Sequence, residues 1–187
     1  EPTTYGLGLE HLVEGRWVEN QLKERWRINS HYIGIGTRYR EIERQRATKR
    51  IFAQCRPGKQ DLKGWTTTYK TAQLARRLDP SISLVTFGLM PCPRVPGVPH
   101  IHLTRPSDEK LAELYSEAGL FLFTPRHEGF GLPALEAMAC ACPVVSTNAD
   151  GNIEFCIDGE TALVRSSTSS LAETCIDVLN DQGLWNR

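Results

Sequence analysis

The hydrophobic pattern changes character at about residue 49. Beyond that point, short apolar runs alternate with stripes of helical period. Ile51-Phe52-Ala53, inside Arg50–Cys55, reads as a buried strand. Between Gly64 and Asp79, the residues Trp65, Tyr69, Ala72, Ala75 and Leu78 recur every three or four positions, which is one face of a helix. Pro80 stops it. Ile82–Phe87 is a second strand, ended by Gly88, and Met90–Pro99, with four prolines and a glycine, is a loop. His100–Leu103 is a third strand. Ser107 caps the next helix, with Asp108 and Glu109 in its first turn and Leu111, Leu114, Tyr115 and Ala118 as its buried stripe. Leu120–Thr124 is almost continuously apolar, as expected mid-sheet. A helix over Leu132–Cys140, a strand over Pro143–Thr147, a short helix over Asn152–Ile157 and a strand over Thr161–Val164 follow. Ser170–Leu179 begins a terminal helix, expected to continue to the end of the chain. Repeated β-α units of this length predict an α/β fold with a Rossmann-like, doubly wound parallel sheet.

The first 48 residues break this rhythm. Val13–Trp26 is compatible with an amphipathic helix through Trp17, Gln21, Leu22 and Trp26, and Tyr32–Ile35 with a strand. Gly34 and Gly36 do not make a dinucleotide fingerprint, because Tyr39 stands where the third glycine belongs.

Composition narrows the classes. The chain has 187 residues, enough for one domain with a core and an appended segment. No apolar run is long enough for a membrane span, and the N-terminus lacks a secretion-signal pattern. The expected compartment is the cytoplasm, with the membrane surface an option for a longer protein. Net charge is zero, yet residues 1–106 carry 18 basic and 9 acidic side chains, and residues 107–187 carry 4 and 13. That asymmetry fits either two solvated faces of opposite sign or a basic wall for an anionic ligand. No basic run is interleaved with aromatics, so no nucleic-acid partner is expected. The six cysteines, at 55, 92, 140, 142, 156 and 175, contain no Cys-x-x-Cys pair. Cys55, Cys140 and Cys142 lie in or beside apolar segments and are expected to be small buried thiols without a disulfide framework. His100 and His102 share one face of a strand, with no carboxylate near in sequence. They read as structural or surface residues rather than ligands.

Candidate chemistry concentrates in His127-Glu-Gly-Phe-Gly-Leu-Pro-Ala-Leu-Glu136, between a buried strand and a helix. Pro133 suits the first helical turn, where a missing N–H costs nothing. Gly129 and Gly131 let the backbone turn sharply and approach a ligand. The N–H groups of Gly131 and Leu132 then sit at the positive end of a helix dipole, a place for phosphate. In an open parallel sheet this loop lies at the carboxyl edge of the strands, where ligands bind. Glu128 and Glu136 flank it, eight residues apart, and a carboxylate accepts from pairs of hydroxyls such as a ribose or hexose offers.

The segment EGFGLPALEAMACACPVV is similar to the Glu-x7-Glu segment of the retaining glycosyltransferases of family four (group 1), enzymes of two-domain GT-B architecture. The resemblance extends over roughly residues 28–179. Cys55-Arg-Pro-Gly-Lys-Gln-Asp-Leu-Lys-Gly64 resembles the family's Gly-Arg … Lys-Gly segment, which implies diphosphate binding by Arg56 and Lys63, with Lys59 as an alternative. Asp150-Gly-Asn-Ile-Glu154 resembles a Gly-x-x-Glu turn whose Glu154 supports the site rather than touching the ligand. Asp158-Gly159 resembles the turn before the last strand. Two departures are small for small: Cys55 and Cys142 stand where the family usually has glycine.

The resemblance implies that this chain is the C-terminal half of a GT-B glycosyltransferase. Residues 1–48 would be a remnant of the N-terminal acceptor domain with the inter-domain linker, and residues 49–187 the donor-binding domain. The implied partners are a nucleoside-diphosphate sugar, a carbohydrate, lipid or other acceptor, and the missing N-terminal domain. No metal is implied. Catalytic roles fall to Glu128, Arg56 and Lys63. Phe130, Gly131, Leu132 and Glu136 would bind the nucleotide sugar: Glu128 with the N–H groups of Phe130 and Gly131 on the sugar, Leu132 N–H on the diphosphate, Glu136 on the ribose. Base contacts are expected from backbone near Thr104–Pro106. Two rival readings are a nucleotide-sugar epimerase on a related scaffold and a non-catalytic nucleotide-binding module.

Overall fold

The structure, a computed structural model, describes residues 10–40, 43 and 47–181. The expected continuation of the terminal helix past residue 181 lies outside the described residues. In chain order the elements are β1 (Leu12–Val13), α1 (Arg16–Trp26), β2 (His31–Tyr32), β3 (Ala47–Gln54), α2 (Trp65–Leu78), β4 (Ser83–Gly88) and β5 (His100–Thr104). Then come α3 (Asp108–Glu117), β6 (Ala118–Phe123), α4 (Leu132–Ala139), β7 (Val144–Ser146), a 3-10 helix (Asp150–Glu154), β8 (Leu163–Val164) and α5 (Thr168–Asn180).

Six strands form one parallel sheet in the order β5-β4-β3-β6-β7-β8. The chain winds outward from the central pair in both directions, which is the doubly wound arrangement. Both faces are covered, and alternate residues of the central strands serve opposite cores. Ile51, Ala53, Leu120 and Leu122 join α2 and α5, where Ala72, Ala75, Leu171 and Cys175 are fully buried. Phe52, Phe121 and Phe123 join α3 and α4. On that second face Phe52, Phe87, Tyr115 and Phe121 form an aromatic cluster, with Phe52 and Tyr115 ring centroids 5.1 Å apart and edge to face. A strand buried on both faces shows no polar alternation, which is why β3 and β6 read as continuous apolar runs.

Ser107 accepts from Lys110 N–H at 3.3 Å and caps α3 as expected. Ala118 is buried but opens β6 rather than closing α3. The predicted short helix at 152–157 is a 3-10 helix shifted two residues earlier, set by buried Asn152. Its side chain accepts from Ala149 N–H and donates to Ser146 Oγ and the Thr147 carbonyl. Near the N-terminus, Leu12–Val13 pairs in parallel with His31–Tyr32, so α1 starts at Arg16 instead of Val13. Of its predicted stripe, Leu22 is buried, Trp17 and Gln21 half-buried, and Trp26 exposed.

One expectation is corrected. Cys55 and Cys92 form a disulfide, with Cα atoms 6.1 Å apart. Cys55 lies just past β3, and the proline-rich loop after the neighbouring strand β4 folds back over that strand end. Cys55 N–H donates to the Phe87 carbonyl at 2.7 Å. The 37-residue separation left no trace in cysteine spacing. Cys140, Cys142, Cys156 and Cys175 are buried thiols, and burial pushes Cys156 up to about 11.

Candidate functional site

The loops after β3, β6 and β7 leave the same edge of the parallel sheet and are locked together there. Gly64 makes this possible: its φ is +65°, and a Cβ on it would lie 1.6 Å from the Thr124 carbonyl oxygen. Across this contact the Thr68 and Thr124 hydroxyls meet at 2.7 Å, and Thr124 donates to the Gly64 carbonyl at 3.1 Å. Arg126 and His127 N–H groups both donate to the Leu62 carbonyl. The loop carrying Lys63 therefore rests on the loop carrying Glu128.

A second close approach fixes the far side. Gly151 N–H donates to the Glu128 carbonyl at 3.0 Å, and a Cβ on Gly151 would lie 2.0 Å from the Gly129 carbonyl oxygen. Nothing larger than glycine fits between these backbones. His127 Nδ1 and Asp150 Oδ2, 2.9 Å apart, bridge the same loops.

Between these loops and the N-terminal segment lies a cleft of about 650 Å³. Six of the seven predicted site residues line it: Arg56, Lys63, Glu128, Phe130, Gly131 and Leu132. Lys63 Nζ donates to Glu128 Oε2 at 2.8 Å, and both side chains are mostly buried. Glu128 Oε1 also accepts from Gly129 N–H at 3.1 Å. Arg56 is exposed and has no ion-pair partner among the described residues. Lys59, the sequence alternative to Lys63, is not in the wall. Gly131, at φ +106°, caps α4, with Pro133 in the first turn. The N–H groups of Phe130, Gly131 and Leu132 meet no acceptor among the described residues and stand at the positive end of α4.

Glu136 stands apart. It lies on α4 outside this wall, half-buried, and accepts from the Tyr115 hydroxyl at 3.2 Å. Burial holds its carboxyl above the ordinary range, opposed by the Tyr115 hydrogen bond and the Arg38 charge. Tyr39 packs edge to face on Tyr115, so the segment around residues 38–40 covers this flank of the helix pair. Thr104–Pro106 closes the edge strand and is also away from the cleft.

Sequence reasoning missed the opposite wall. Residues 10–14, together with Val18 and Leu22 of α1, face the phosphate-loop side, and Gln54 joins from β3. Leu22 had a helical stripe to announce it; the others carried no signal. Glu154 holds this wall in place. Its Oε1 accepts from Trp17 N–H at 2.9 Å, in the first turn of α1, so it supports the site as expected. A neighbouring cleft of about 680 Å³, on the other side of α1, exposes Trp17, Gln21, Trp26, His127 and Asp150. The basic excess of the first 106 residues does not form one wall, because Lys49 and Arg50 pair with Asp79 and Glu117 far from the cleft.

Residues 50–181 match the family model described as Glycosyl transferases group 1, which is most of the chain. This chain belongs to the group 1 glycosyl transferases. Among relatives in that family, the N-acetyl-alpha-D-glucosaminyl L-malate synthase of Bacillus anthracis is 30% identical over 120 residues, 60% of this chain and 32% of that protein. Among solved structures, the sucrose-phosphate synthase of Thermosynechococcus elongatus has a TM-score of 0.73 at 22% identity, covering 93% of this chain and 49% of that one. The pneumococcal O-GlcNAc transferase GtfA, solved in complex with UDP and GlcNAc, has a TM-score of 0.68 at 16% identity, covering 94% and 38%. Identities this low establish the fold alone, the Rossmann-like half of a GT-B glycosyltransferase. The chain spans a quarter or less of the length of the first curated relatives it matches. The group 1 match begins at Arg50, within β3. The wall built by residues 10–22 therefore precedes the matched stretch. No helix among the described residues is long and apolar enough to cross a membrane.

Proposed function

We propose that this chain binds a nucleoside-diphosphate sugar and is the donor half of a glycosyltransferase that retains anomeric configuration. The observation that carries the reading is one cleft holding Arg56, Lys63, Glu128 and the open N–H groups at the start of α4. Two cations and a helix N-terminus suit a diphosphate. Lys63 spends one of its three N–H bonds on Glu128 and keeps the others for phosphate oxygens. Glu128, held by Lys63 and Gly129, keeps lone pairs for sugar hydroxyls. Glu136 receives the ribose hydroxyls once the Tyr115 hydroxyl yields one carboxylate oxygen to them.

In this reading the donor's C1–O bond to the diphosphate breaks as the acceptor oxygen bonds to C1 from the same face. The diphosphate oxygen takes the acceptor proton, and Arg56, Lys63 and the α4 N–H groups stabilise the negative charge that develops on it. No metal is assigned a part. The acceptor is held by chain beyond this one, so the chain alone binds donor without transferring sugar. The relatives' names, a synthase that joins a glucosaminyl group to malate among them, support the reaction class.

The test is a calorimetric panel of uridine, guanosine, adenosine and thymidine diphosphates, free and as sugar conjugates. One base series should bind at millimolar concentration or tighter. Arg56→Ala should weaken that binding about ten- to a hundredfold, the loss of one charge-assisted contact. Absence of binding by every diphosphate at millimolar concentration overturns the reading.

A further inference from the structure

The Cys55–Cys92 bond sits in a cluster that has a second chemical state. Three side chains able to ligate a metal, Cys55, Cys92 and His102, place one ligand atom each within 4.8 Å of one another. It is the one such grouping of three among the described residues. They come from three rigidly related places: the end of β3, the proline-rich loop, and the middle of β5. We propose that, once the disulfide is reduced, Cys55, Cys92 and His102 form a binding site for a thiophilic divalent cation of the zinc type.

The donor set fits that ion. Two thiolates and one imidazole are borderline-soft ligands, and zinc accepts them in tetrahedral geometry with Zn–S near ~2.3 Å and Zn–N near ~2.0–2.1 Å. That geometry separates neighbouring ligand atoms by roughly 3.5–3.8 Å. The ligand atoms already lie inside that radius of adjustment, so opening the S–S bond brings them to position without moving the strands. Cys92 rides on a loop and is half-buried, so it has room to give way and a solvent side for a fourth ligand.

The surroundings of His102 have the form of an outer ligand shell. Its Nδ1 lies 2.9 Å from the Thr86 hydroxyl, and that hydroxyl lies 2.8 Å from His100 Nε2. Its Nε2 lies 3.0 Å from the Met90 carbonyl, on the loop that carries Cys92. With the disulfide closed, the consistent arrangement has His102 Nε2–H donating to Met90. A metal at Nε2 releases that one exposed contact. Nδ1–H then donates to Thr86, and the Thr86 hydroxyl turns to donate to His100 Nε2. The buried Thr86 hydroxyl satisfies both arrangements, because it can donate in either direction. Burial and the neighbouring ring hold His100 below the ordinary imidazole range, which keeps it neutral and able to accept.

The step balances simply. A dithiol reductant gives two electrons and two protons to the disulfide, yielding two thiols and its own disulfide. The cation then displaces both thiol protons, and the site closes with no net charge. Oxidation reverses the sequence and expels the ion. The site is separate from the phosphate-facing cleft and does not rest on the proposed activity, though Cys55 is the residue before Arg56.

The experiment uses the full chain, reduced under anaerobic conditions, loaded with zinc and dialysed, with metal read by mass spectrometry. About one ion per chain should be retained after reduction and none after oxidation to the disulfide. Cobalt in place of zinc should give thiolate-to-metal charge-transfer absorption together with tetrahedral visible bands. Cys92→Ser and His102→Gln should each abolish retention, whereas Cys156→Ser, at a buried thiol outside the cluster, should keep it. Circular dichroism confirms that each variant is folded. A reduced, folded wild-type chain that retains no zinc overturns the proposal. Equal retention by folded His102→Gln and wild type also overturns it.

Discussion

At the residue scale, two glycines and one carboxylate show how closely the site is specified. Gly151→Ala would push a methyl into the Gly129 carbonyl, and neither backbone has slack. The expected cost is about 2–3 kcal/mol of stability, with donor binding lost before the fold is. Thermal denaturation and calorimetry on the same variant check both halves. Glu136 carries a pH signature. Its carboxyl is raised in the folded chain, chiefly by burial, so the folded state holds the proton more tightly than the unfolded state does. The stability this contributes is present at acid pH and fades as pH rises from the ordinary carboxylate range through the raised value. Glu136→Gln cannot lose a proton there. Its stability relative to wild type should therefore improve across that window, while nucleotide affinity falls. Denaturant titrations from pH 4 to pH 7, roughly the span from a free glutamate upward, test the sign; a difference that does not change with pH refutes the burial argument. Glu128 and Glu136 look equivalent in sequence, flanking one glycine pair. Their surroundings separate them: Glu128 faces Lys63 in the cleft, and Glu136 faces Tyr115 on another helix. That distinction depends on residues 65 and 21 positions away, so local spacing could not carry it.

At the element scale, the legible parts are those with local causes. Strands β3 and β6 announce themselves because burial on both faces removes polar positions. Helix α3 announces itself through Ser107 and its acidic first turn. The parts that were not legible depend on contacts between distant segments. The disulfide joins two loops that meet only because β3 and β4 are neighbours. The start of α1 is set by a two-residue strand pairing that no periodicity signals. Helix α1 has no side-chain cap of its own, and Glu154, 137 residues on, supplies the acceptor. Glu154→Ala should therefore cost about 1 kcal/mol, the usual worth of an N-terminal cap. Hydrogen–deuterium exchange should quicken in the first turn of α1 and leave α3 unchanged. Faster exchange spread evenly over the chain would show that the contact is not a local cap.

At the scale of the whole molecule, the cleft has two walls of different origin. One belongs to the stretch matched by the group 1 family model, and the other, residues 10–22, precedes it. Anionic ligand binding draws on Arg56, Lys63 and helix N–H groups, while most other basic side chains are occupied elsewhere. Diphosphate affinity should accordingly fall between low and high salt by a modest factor, about what two exposed-to-half-buried cations lose to screening. Isothermal titration at 50 and 500 mM salt reads this, and Arg56→Ala should flatten the dependence.

The bare backbone contact at Gly151 behaves like a bearing with no clearance. The loop that would grip a ligand, the 3-10 helix behind it and, through Glu154, the first turn of α1 are in direct mechanical series. A molecule seated on Glu128 and Gly129 should thus be felt at Trp17 without touching it. The indole becomes a built-in reporter, and its fluorescence should respond to occupancy of a cleft it does not line.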